Sequence, residues 1–102
     1  MLELSEVKSW LGISTDSGNA LLLSLITSAD ADLRAKVGDF DLLDEGLRQL
    51  AKQYQLYWIG VQYADRFGEM SNKESSAISA FMRNAVFILR QAVGVATDEI
   101  RT

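Results

Sequence analysis

Residues Leu42–Phe67 read LLDEGLRQLAKQYQLYWIGVQYADRF, and one long helix accounts for the pattern. At about 100° per residue, Leu43, Leu47, Leu50, Ala51, Tyr54, Tyr57, Trp58 and Val61 fall on one side, as a core-facing stripe does. In the second half, Leu56, Ile59, Tyr63 and Phe67 form another apolar row on the opposite side. The first half is polar behind, with Glu45, Arg48, Gln49 and Lys52. A helix that is apolar nearly all round has to be covered on two sides. In a chain of 102 residues, that cover comes either from the other helices or from a neighbouring subunit.

Composition narrows the choice. The length suits one domain, and 48% hydrophobic residues with no proline indicate a folded, helical chain. Cysteine and histidine are both absent, which removes disulfides, Cys and His metal ligation and His-dependent catalysis. No apolar run approaches the roughly 20 residues of a membrane span, and the N-terminus lacks a signal peptide's basic start. The expectation is a soluble cytoplasmic product with no membrane partner. Net charge is −4, a poor basis for tight nucleic-acid binding, where phosphate neutralisation supplies most of the affinity. Met1–Ala51 carries nine acids and four bases, and Lys52–Thr102 five acids and six bases. That imbalance is too small to carry a reading.

Taken in order, the chain opens with a short helix over Leu2–Leu11, with Ser5 as N-cap, Leu4 as the apolar residue before it, and Gly12 as its stop. Trp10 is expected to plug the core, the alternative being an exposed interface anchor. A turn-rich link, Ser14–Asn19, leads into a second helix over Ala20–Val37 closed by Gly38. Asp30 and Asp32 point to different flanks of that helix and read as solvated surface. The Asp39-x-Asp41 pair lacks the glycine and terminal glutamate of a calcium loop, so capping of the long helix by Asp41 or Asp44 is the stronger reading. Ser71 and Glu74 make a capping box for a last helix over Asn72–Val93, with Ile78, Phe81, Met82, Ala85, Leu89, Ala92 and Val93 inside. On its outer side Arg83, Phe87 and Arg90 line up, which fits a protein interface or a lone exposed aromatic equally. Residues 1–94 are expected to form one helical domain, and 95–102 a mobile tail.

No catalytic, metal or cofactor site emerges. The seven glycines are scattered rather than gathered in a phosphate loop. Ser75, Ser76 and Ser79 near Lys73 read as helix-start and surface residues, not nucleophiles. An enzyme is not expected, and no cofactor. The competing reading is a small DNA-binding regulator. Leu4–Ser14, LSEVKSWLGIS, looks like the first helix and turn of an excisionase or MerR-type helix-turn-helix. A recognition helix should follow at once, yet no Lys or Arg occurs between Lys8 and Arg34.

The order of elements resembles another group. Leu4-x-x-Val7-Lys8-x-Trp10-Leu11, a turn, a leucine-rich helix over Leu21–Leu33, and a long aromatic helix ending Tyr63-Ala-Asp65-Arg66 are similar to phage head–tail connector proteins. These are the small adaptor or head-completion proteins of tailed phages and prophages. The resemblance covers Leu2–Arg66 and reaches the last helix only through its length. It implies an all-α subunit that assembles into a homo-oligomeric ring of about twelve copies. The ring would dock under the portal protein at the head–tail junction, extend the DNA channel without gripping the genome, and carry the next connector or tail protein.

The fold expected is therefore all-α, with two long helices and two shorter ones, forming an oligomeric ring. A closing ring needs two different patches on each subunit. The rear row Leu56, Ile59, Tyr63 and Phe67 and the outer stripe Arg83, Phe87 and Arg90 are the two candidates, expected to meet across the subunit boundary.

Overall fold

The computed structural model describes residues 2–67 and 72–101, with side chains over 2–63 and 77–100. Among these residues the chain is all-α. It comprises α1 (Leu4–Leu11), α2 (Asn19–Val37), a 3-10 turn at Phe40–Leu42, α3 (Glu45–Phe67) and α4 (Asn72–Arg101).

The start of α1 differs from the sequence expectation. Glu3, not Ser5, is the N-cap, in a reciprocal capping box with Glu6, whose Oε1 accepts the Glu3 N–H at 3.1 Å. The apolar residue before the cap is thus Leu2, which is buried in the same cluster as Val7 one turn on, the geometry of a hydrophobic staple. Gly12 closes the helix at φ 73° and Gly38 follows α2 at φ 93°, left-handed angles that favour glycine. Asp44 caps α3, its Oδ1 accepting the Leu47 N–H at 3.0 Å. Asp39 caps the 3-10 turn instead, accepting the Asp41 N–H at 3.1 Å. The Ser71–Glu74 capping box lies outside the described residues.

Two apolar clusters make the core. The first joins Leu33 and Val37 of α2, Phe40 and Leu43 of the connection, Ala51 and Tyr54 of α3, and Ala85, Leu89 and Val93 of α4. The second joins Leu2, Val7, Leu22, Ile26, Ala29 and Ile59 where α1 packs on α2 and α3. Trp58 touches both. The N-terminal half of α2 thus meets the C-terminal half of α3, so these two helices run antiparallel. Helix α4 lies along both, and α1 crosses the other end. This explains why α3 turns apolar all round only in its second half. There α1, α2 and α4 all reach it, and Ile59 of the rear row is covered from within the chain.

The last helix is longer than its sequence suggested. Gly94 is unfavourable in a helix interior by about 1 kcal/mol, but α4 continues through it to Arg101. Residues 95–101, expected as a tail, are helical. Their core-facing period also persists, since Leu89, Val93, Ala96 and Ile100 follow at spacings of four, three and four. Ala96 still packs on the first cluster, whereas Ile100 is 68% exposed.

Candidate functional site

The residues expected at a subunit boundary do not behave alike. Ile59 is fully buried among Leu22, Ile26 and Ala29, where α2 occupies its side of α3. Leu56 and Tyr63 are half-buried against the same cluster. The side chains of Phe67 and of the motif residue Arg66 lie outside the described residues. The outer stripe on α4, by contrast, is open. Arg83 and Arg90 are exposed, and Phe87 between them is 61% exposed.

Other motif residues hold α1 in place. Val7 is fully buried and Leu11 half-buried. Lys8 pairs with Asp16 at 2.7 Å, bridging α1 to the turn before α2. The Lys8 hydrogen bond holds the Asp16 carboxyl below its ordinary value. Trp10 is not a core plug. It is 44% exposed, because its ring lies across Gly60 of α3 instead of pointing inward. It meets Tyr57 edge-on at 5.5 Å between centroids, and Tyr57 meets Phe81 of α4 at 4.9 Å.

Beneath the Arg83–Arg90 stripe lies a cleft of about 400 Å³ between the end of α2 and the side of α4. Tyr54, Met82 and Val86 give it an apolar floor, and Lys36, Arg83 and Arg90 line it with cations. Lys36 Nζ donates to Tyr54 Oη at 2.9 Å and pairs with Asp32 at 3.2 Å. Tyr54 Oη in turn donates to Asp32 Oδ2 at 2.7 Å. The hydrogen bond to Tyr54 raises the Lys36 ammonium above its ordinary value, and burial raises the Tyr54 phenol. Arg90 Nε donates to the Lys36 carbonyl at 2.9 Å, tying α4 to α2.

The two aspartates of α2 were misread as solvated surface. Asp32 pairs with Lys36 and Tyr54 of the cleft lining, and Asp30 accepts from Arg34 Nε at 2.9 Å and from the buried Gln55 at 3.3 Å. Arg34 also reaches Asp39 at 3.3 Å and Asp41 at 3.0 Å, and lies 4.3 Å over the Phe40 ring. The Asp30 hydrogen bond is the main cause of its raised pKa. A sequence signal existed in Asp30-x-x-x-Arg34 and Asp32-x-x-x-Lys36, two acid-to-base pairs at helical spacing.

The helix that follows the first turn does not favour the DNA-binding reading. The helix after the first turn buries Leu22, Ile26, Ala29, Leu33 and Val37, and its first base, Arg34, is engaged by three aspartates. Among the described residues no three metal-ligating side chains converge, and no helix is long and apolar enough to cross a membrane.

No curated protein and no solved structure matches the chain. The family model described as phage gp6-like head-tail connector protein matches residues 1–91, from α1 through most of α4, and the chain belongs to that family.

Proposed function

We propose that this connector acts as a ring-forming structural subunit that docks under the portal, lengthens the DNA channel and carries the next tail or stopper protein. The observation that carries the reading, beside the family, is the face of α4. A subunit that covers its own α3 from three sides leaves Phe87 61% exposed between two arginines. An exposed aromatic flanked by Arg is the residue chemistry of protein interfaces. The rear row of α3, through Tyr63 and Phe67, is its counterpart across the subunit boundary. Genome DNA passes without a specific grip, consistent with the acidic balance of the chain.

Solution mass by light scattering behind a sizing column tests this, across protein concentration and with the portal added. A species of about a dozen subunits, alone or on the portal, is the expected result. A dimer that persists across concentration and ignores the portal would overturn it.

A further inference from the structure

The cleft between the end of α2 and the side of α4 joins an apolar floor of Tyr54, Met82 and Val86 to a cationic rim. At one end Lys36 is paired with Asp32, and Arg90 is held beside it by the bond from its Nε to the Lys36 carbonyl. Arg83, further back along α4, is exposed and pairs with no carboxylate among the described residues. Asp32 offsets Lys36, so the charge left over is that of the two arginines. They stand seven residues apart on α4, about 10 Å at 1.5 Å per residue. The tether on Arg90 keeps the pair from converging on a single anion.

A second copy of this chain does not meet that demand. Among the described side chains every carboxylate except Glu45 already has a partner. The described residues of another copy therefore present no free pair of acids at this separation.

We propose that the cleft is a docking groove for an amphipathic helix of a different protein. That helix carries two acids seven residues apart, with two large apolar residues at the third and fourth positions between them. The four positions share one helical face, and the acids span the same distance of about 10 Å as the arginines. The apolar pair covers Tyr54, Met82 and Val86, and each acid meets one guanidinium. Rim charges of this kind set register and choice of partner. The contact goes beyond ring formation, since Phe87 does not line the cleft and stays available to the subunit boundary.

The probe is a synthetic helical peptide of about 15 residues, near the length at which an isolated helix holds. It has glutamate at both acid positions and leucine at both apolar ones; a control peptide has lysine in place of both glutamates. Fluorescence anisotropy on the full chain is expected to show the acidic peptide binding roughly tenfold or more tighter, with the gap narrowing as salt rises. The net charge of −4 favours the lysine peptide everywhere else on the chain, so the opposite preference reports the cleft. Arg83→Glu, at an exposed side chain, reverses the preference. Ser79→Trp fills the cleft from an exposed wall position that belongs to neither core cluster, and weakens the acidic peptide at least tenfold. Equal binding of the two peptides, or binding that both variants leave unchanged, overturns the proposal. The measurement is made on the free chain, so its outcome is separate from whether a ring forms.

Discussion

Trp10 lies so close over Gly60 that a Cβ built at Gly60 would stand 2.6 Å from its Cζ3. Glycine inside α3 weakens the helix by about 1 kcal/mol relative to alanine. Here it makes the shallow seat that lets an indole bind α1 to α3 without entering the core.

That closeness sets up opposite signs for one substitution. Gly60→Ala in the native chain drives the Trp10 ring off its seat and destabilises the protein or leaves it unchanged. In a Trp10→Ala background the same change stabilises by about 1 kcal/mol, from helix propensity alone. Urea unfolding of the four proteins gives the coupling energy, expected above about 1 kcal/mol. Additive effects would mean that the ring and the glycine are independent.

Tyr54 and Lys36 predict how stability responds to base. Both have folded-state pKa values above their ordinary ones, so each favours its protonated form in the fold. Their contributions are complete below the unfolded values of about 10 and 10.4, and are lost as pH rises through the higher folded values. Unfolding free energy should therefore fall above about pH 10. Tyr54→Phe costs about 1 kcal/mol at neutral pH, from the lost hydrogen bond to Asp32, and flattens the alkaline fall. Denaturant midpoints from pH 7 to 11 test this, and parallel pH curves for the two proteins would refute it.

The Asp30–Gln55 contact joins α2 to a side chain that is only 2% exposed. Asp30→Ala leaves the buried Gln55 amide short of an acceptor and is expected to cost about 1–3 kcal/mol. Adding Gln55→Leu removes the stranded group, so the double variant should lose at least about 0.5 kcal/mol less than the sum of the singles. Chemical denaturation reads all three, and strict additivity would show that the two residues do not share the bond.

How far the sequence reached depends on how local each feature is. Helix ends set by one residue, such as Gly12, Gly38 and Asp44, were legible because φ and cap chemistry are local. The stripes of α2 and α3 were legible because burial follows the helical period. The cover of the second half of α3 was not, since a rear row on one helix looks the same whether α2 or another subunit packs on it. Trp10 was misplaced for a related reason. Its seat is the missing side chain of Gly60, fifty positions along, and no periodicity within α1 reports that. The Asp30 and Asp32 pairs were visible as spacing, but their reach to Gln55 and Tyr54 exists only once α2 and α3 are antiparallel. The end of α4 was not legible because Val95–Thr102 taken alone shows no sustained period, whereas the stripe of Leu89 and Val93 continues through Ala96 to Ile100.

Phe87 separates folding from assembly. At 61% exposed it contributes little to the subunit's own core, so Phe87→Ser should move the thermal midpoint by no more than about 2–4 °C, as surface changes of under about 0.5 kcal/mol do. In assembly it is expected to act as an anchor, whose loss costs about 2 kcal/mol or more per contact. Each contact in the ring would then weaken roughly thirtyfold. Arg83→Glu and Arg90→Glu should weaken assembly too, with an effect that shrinks at high salt because rim charges are screened. Scanning calorimetry beside light scattering with the portal present reads both properties on one sample. Unchanged assembly by all three variants would remove this face of α4 from the subunit boundary, and a large fall in the midpoint for Phe87→Ser would place the ring inside the subunit's own packing.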